Sequence, residues 1–144
     1  MKRLSSGNRR AAQEAGVTLM ELMVVMTIVG ILAAIAFPTY QSHVAKTNRG
    51  AAKSCLSEYA QFMERYYTTN LTYVGAAPSP SCQTDSNLGQ RYTFATSNVA
   101  QRTYTISATP IGVQATRDAK CGTLGLDQDG LRSASGTGGS TYCW

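Results

Sequence analysis

The stretch Leu22-Met23-Val24-Val25-Met26-Thr27-Ile28-Val29-Gly30-Ile31-Leu32-Ala33-Ala34-Ile35-Ala36-Phe37 decides how this chain is read, with Glu21 in front of it and Pro38 behind. No side chain from Leu22 to Ser42 is charged at neutral pH, and as a helix rising ~1.5 Å per residue those 21 residues reach about 30 Å, the thickness of a bilayer core. Ahead of the run, Met1 to Gly16 carries Lys2, Arg3, Arg9 and Arg10 against one acid, Glu14. A basic head followed by an apolar run reads as a targeting segment.

Two processing routes fit such a segment. In general secretion, Ala34-Ile35-Ala36 is the small-x-small cleavage site and a soluble domain starts at Phe37. In the other route the apolar run is kept as a membrane anchor. The first route leaves Glu21 at the edge of the apolar run, where a carboxylate costs about 2.5 to 3.5 kcal/mol if it lies deep. A snorkelling interfacial role for Glu21, and Arg9-Arg10 as a twin-arginine signal, are the weaker readings.

The rest of the composition agrees with an uneven chain. The 144 residues are 43% hydrophobic but only 15% charged, against roughly 25% charged for an average soluble domain. The missing charges are those absent from Leu22 to Ser42. The net charge is +5, but the leader contributes +3 of it, leaving +2 for residues 17 to 144. One histidine, His43, allows no two-histidine metal centre within one chain, and every Ser-His-Asp or Cys-His arrangement would have to use it. No enzyme, cofactor or metal is expected.

Gly16-Val17-Thr18-Leu19-Met20-Glu21 and the apolar run through Pro38 resemble the class III signal and N-terminal helix of type IV pilins. The resemblance implies cleavage by a prepilin peptidase between Gly16 and Val17, N-methylation at Val17, and a docking role for Glu21 toward the amino terminus of a neighbouring subunit. Paired charges in an apolar bundle are tolerable where each alone is expensive. Val17 stands where the family usually has Phe, and Glu14-Ala15 precedes Gly16 where a basic residue is usual.

Downstream, Pro38 removes one helical N–H and is expected to kink the helix without ending it. Ala52, Cys55, Leu56, Tyr59, Phe62, Met63 and Tyr66 recur at spacings of three and four, with Arg49, Lys53, Glu58, Glu64 and Arg65 largely elsewhere around the wheel. The helix is predicted from about Thr18 to Tyr67. A loop follows, clearest at Ala76-Ala77-Pro78-Ser79-Pro80. Alternation then predicts strands over Arg91–Thr96 and Arg102–Thr109, a third over Gly122–Leu126, a turn at Asp127-Gln128-Asp129-Gly130, and a fourth over Leu131–Ser135. The fold class is α+β, a long N-terminal helix packed on a small antiparallel sheet. The domains are a leader over 1–16, an apolar transmembrane or filament-core helix over 17–43, and a globular head over 44–144.

Cys55, Cys82, Cys121 and Cys143 lack metal-ligand spacing, and in an exported domain their even count reads as two disulfides. Of three connectivities, Cys55 with Cys82 and Cys121 with Cys143 is preferred. The tail from Cys121 to Cys143-Trp144 is similar to the C-terminal disulfide region of PilE-like minor pilins.

Other motifs weigh less. Asp127-x-Asp129-Gly130 departs from a calcium loop and reads as a β-turn. Ser135-Gly136-Thr137-Gly138-Gly139-Ser140 lacks the Gly-Lys-Ser/Thr of a phosphate loop and reads as a mobile surface loop. Asn70-Leu71-Thr72 is a chance sequon, and His43 a solvated residue at the membrane boundary. Arg91, Arg102, Arg117, Lys120 and Arg132, with Tyr92 and Tyr104, make a weakly supported DNA-binding face.

The resemblance implies a structural pilus subunit, of the minor kind, supporting adhesion and twitching motility. Its partners would be other pilin subunits, the prepilin peptidase and the bacterial inner membrane, crossed once with the head in the periplasm before export to the pilus. The alternatives are a pseudopilin of type II secretion and a secreted domain cut after Ala36.

Overall fold

A computed structural model describes residues 16–144, apart from the side chains at 85 and 86. Except for Gly16, the expected leader lies outside the described residues. The element order is α1 (Leu19–Asn70), two 3-10 turns (Ser81–Gln83 and Asp85–Gln90), β1 (Tyr92–Ser97), β2 (Thr105–Pro110), α2 (Gly112–Arg117), β3 (Leu124–Asp127), β4 (Arg132–Ala134) and α3 (Gly139–Cys143). The helix contains Pro38 and continues past it. The chain divides into two units, one ending at Phe37 and one over Pro38–Trp144.

In the first unit Thr18 caps α1. Its Oγ1 accepts the backbone N–H of Glu21 at 3.2 Å, satisfying one of the orphan donors of the first turn. Every described residue up to Phe37 is exposed. The hydroxyl of Thr27 donates to the carbonyl of Met23 at 2.8 Å, so its polar group is satisfied inside the apolar run.

The second unit has its own core. Ala45, Arg49, Ala52, Cys55, Leu56, Tyr59 and Met63 are the buried residues of α1, spaced by three and four as one helical stripe requires. Phe62 and Arg49 depart from the predicted pattern, and Tyr66 is only half-buried. Phe62 is exposed, because it lies off the line set by Tyr59 and Met63, whereas Arg49 lies on that line and is buried.

The sheet is an antiparallel meander in the order β1-β2-β3-β4. Register pairs Phe94 with Ala108, Ile106 with Leu126 and Leu124 with Ala134. The inward residues Tyr92, Ile106, Ala108, Leu124 and Leu126 join the α1 stripe in one cluster. Tyr59 stacks on Phe94, with ring centroids 5.6 Å apart, carrying the helix onto the sheet.

Cys55 is bonded to Cys82 and Cys121 to Cys143, with Cα separations of 5.6 and 5.5 Å. The first bond ties the connection after α1 back onto the helix, and the second ties α3 to the turn that leads into β3. Side-chain bonds reinforce the first tie, since the amide of Gln83 donates to the hydroxyl of Tyr59.

The glycine-rich segment is not the mobile loop that composition predicts. The N–H of Gly136 donates to the carbonyl of Cys121 at 3.0 Å and that of Gly138 to the carbonyl of Lys120 at 2.7 Å. A Cβ at Gly136 would collide with the carbonyl of Lys120, so glycine is there for close backbone approach. At the β3–β4 turn, Asp127 Oδ1 accepts the N–H groups of Asp129 and Leu131 at 3.0 and 2.8 Å, while Gly130 takes a positive φ of 75°.

Candidate functional site: an assembly stretch and a charged head

Two carboxylates organise the two units. Glu21 sits at the third position of α1, where the partial positive charge of the helix start favours an anion. Thr18-x-x-Glu21 is also the spacing of a capping box, a local signal concealed by its place within the leader motif. The Glu21 side chain is exposed among exposed Leu19, Met20, Leu22 and Val25. An apolar surface of this extent marks an interaction site. The helix is long and apolar enough to cross a membrane.

Asp118 is the opposite case. It is 6% exposed, and its Oδ1 lies 2.5 Å from the guanidinium of Arg49, an ion pair that joins residues 69 apart in the chain. Its Oδ2 accepts the hydroxyl of Tyr92 at 3.2 Å and the amide of Gln114 at 3.4 Å. Gln114 Nε2 also donates to the carbonyl of Ala45 and to the Tyr92 hydroxyl, both at 3.0 Å. Burial, then the Asp118 charge, raises the Tyr92 pKa well above its ordinary value. The group fixes α2 against residues 45–49 of α1.

A second polar centre is Glu64, whose Oε1 accepts the hydroxyls of Tyr73 at 3.0 Å and Tyr104 at 3.1 Å. Burial and this carboxylate together raise the pKa of both phenols, Tyr73 to about 12.

The cationic face predicted from sequence is divided by the strand directions. Arg91 precedes β1, and Arg117 and Lys120 follow β2, so all three lie at one end of the sheet. Arg102 in the β1–β2 connection and Arg132 at the start of β4 lie at the other. Tyr92 and Tyr104 are 1% and 2% exposed, so neither can stack on a base. Their rings fill the core and their hydroxyls belong to Asp118 and Glu64. The guanidinium of Arg132 instead lies over the ring of Trp144, 5.3 Å from its centroid.

At the first end, Lys46, Arg49, Arg117 and Lys120 line a cleft of about 480 Å³ with Asp118 and Tyr142. Arg49 is taken by Asp118, whereas the other three cations are exposed. Sequence reading missed this cleft because its parts lie about 70 residues apart. The available clue was Arg49, on the line through Ala45, Ala52 and Leu56.

Residues 38–125 match the family described as type IV minor pilin ComP, DNA uptake sequence receptor. The chain belongs to this type IV minor pilin family. Residues 12–37 of this pilin match the prokaryotic N-terminal methylation motif, of which 12–15 lie outside the described residues. The pilin is similar to the type IV major fimbrial protein FimA of Dichelobacter nodosus, 38% identical over 85 residues, 51% of this chain and 53% of that one. It is also similar to the type IV major pilin protein PilE1 of Neisseria gonorrhoeae, 40% identical over 75 residues, 47% of this chain and 45% of that one. The chain thus spans about half the length of these relatives. Among solved structures it resembles the Neisseria meningitidis non-core minor pilin PilV, with a TM-score of 0.50 and 26% identity over 66% of this chain and 90% of that one. A long N-terminal helix on a four-stranded antiparallel sheet is the type IV pilin fold.

Proposed function

We propose that this pilin is an exported minor subunit of a type IV pilus, cleaved between Gly16 and Val17, N-methylated at Val17 and docked through Glu21. The observation that carries the reading is one exposed carboxylate at the start of an exposed apolar helix. Before assembly the apolar run spans the inner membrane with the head in the periplasm. In the filament, neighbouring apolar helices cover that surface, and the ammonium of one subunit meets the Glu21 carboxylate of the next. Sequencing and mass determination of the protein from sheared filaments are expected to show methylated Val17 at its start. A start at Phe37 would sink the reading in favour of a secreted domain. Deleting the gene and scoring filament number, surface adhesion and twitching tests the cellular role, and unchanged values in all three would refute it.

A second activity is favoured by the family description, which names a DNA uptake sequence receptor. Exposed Arg102 and Arg132 supply phosphate contacts at the sheet end that also carries Trp144. Asp127 is occupied there by its own turn. Band-shift titrations over a salt series should give binding that weakens with salt by a slope near −0.9 per phosphate contacted. Replacing both arginines by Gln should lower that slope by about two contacts. An unchanged slope would remove them from the interface.

A further inference from the structure

The cleft lined by Lys46, Arg117 and Lys120 has a position and a composition that the docking and DNA readings leave unused. Ser42, the last residue of the charge-free run, is also the first residue lining it. The cleft therefore opens where the chain regains charge. Its far wall is held there by bonds from α2 to α1: Gln114 to the carbonyl of Ala45, Asn48 to Gln114 at 3.0 Å, and Asp118 to Arg49. These place Arg117 and Lys120 beside Lys46.

The two sides of α2 differ in kind. Gln114 and Asp118, four residues apart, face the head and are buried. Val113 and Arg117, also four apart, face outward, Val113 being 61% exposed. An apolar residue beside cations on a short outward face suits the boundary between acyl chains and headgroups. Only one carboxylate, Asp118, lines the cleft, and Arg49 occupies it. Arg91 adds a fourth exposed cation at this end, its carbonyl accepting the N–H of Ile111 at 2.8 Å.

We propose that this cleft seats the phosphate of anionic lipid headgroups, so that the Lys46–Arg117–Lys120 end of the head lies against the bilayer while the subunit is stored in the membrane. The proposal rests on the reading that Leu22 to Ser42 spans that membrane. Anionic headgroups attract cations near the surface, and the attraction falls off within a Debye length. Residues just beyond a membrane span are thus where such cations act.

The test uses the full chain in lipid nanodiscs, either pure phosphatidylcholine or with phosphatidylglycerol mixed in, read by amide hydrogen exchange. Exchange over Ile111–Cys121 is expected to slow roughly tenfold when phosphatidylglycerol is present, and to recover in high salt. The combined variant Lys46→Gln, Arg117→Gln and Lys120→Gln should lose this response while β1 to β3 keep their protection, showing that it folds. Equal exchange over Ile111–Cys121 in the two discs overturns the proposal. So does the same slowing in phosphatidylcholine discs given inorganic phosphate, which would make this a free-anion site, or given duplex DNA, which would make it part of the nucleic-acid surface. The amides of Leu22–Phe37 are the internal control. Free exchange there refutes the membrane span and the proposal with it, whereas protection there without a lipid response at α2 refutes the proposal alone.

Discussion

Glu21 and Asp118 are the same chemical group under opposite management. Asp118 is buried and saturated within its own chain by Arg49, Tyr92 and Gln114. Glu21 is exposed on a helix whose apolar surface its own chain leaves uncovered. The contrast teaches how one chain divides its labour. A carboxylate satisfied internally ties the head together, and on the proposed reading one left open waits for a membrane or further subunits. Burial of a charge is tolerable only when its partners are supplied: those of Asp118 are intramolecular, and the proposed docking role would supply that of Glu21 from a neighbouring subunit.

The sharpest way to break the comparison is Glu21→Ala. The head should melt at an unchanged temperature and cleavage should proceed, yet the amount recovered in sheared filaments, measured by immunoblot, should fall at least about tenfold, since the loss of one buried charge pair is worth several kcal/mol. Normal incorporation would remove Glu21 from docking. Asp118→Ala should do the reverse. It strands the Arg49 guanidinium in the core, so denaturant unfolding of the head should show a loss of about 3 to 5 kcal/mol. A combined Arg49→Met, Asp118→Leu variant should recover most of that loss, and failure to recover would mean the group also fixes backbone geometry. Replacing Cys121 and Cys143 by Ser should cost about 2 to 5 kcal/mol by the same measurement, because the bond closes a span of 22 residues.

The smallest effect is on the alkaline side. The Tyr92 and Tyr104 pKa values are raised in the folded head, first by burial, so their contribution is fully present below the unfolded value near 10 and is lost as pH rises above it. Thermal melts should therefore decline from about pH 10 upward, and Tyr104→Phe should flatten the decline. A stability flat through that range in the parent chain would contradict the assignment.

How much of this was legible follows the range of the interactions. The apolar run, the amphipathic stripe and the four strands depend on periodicity within a few residues, so the α+β arrangement and the strand positions could be read directly. Glu21 stood out because its neighbours are apolar. Arg49 did not, because its partner lies 69 residues away, and an arginine on a wheel looks solvated until that partner is known. Tyr92 and Tyr104 misled in the same way, since an alternating strand does not announce which face is inward. The α2 and α3 helices span only six and five residues, too short for a period to show. The glycines at 136 and 138 signal flexibility by composition but serve contact with the backbone at Lys120 and Cys121.

The sheet carries one more consequence, in the outermost position of the meander. A subunit packed at high local density, as the proposed filament requires, would be exposed to strand-on-strand association, which begins at free sheet edges. Here the β4 edge is only three residues long, bears Arg132, and has its Ser133 carbonyl occupied at 2.8 Å by the indole N–H of Trp144. The β4 edge is therefore a poor template for strand addition, leaving β1 (Tyr92–Ser97) as the longer edge of the sheet.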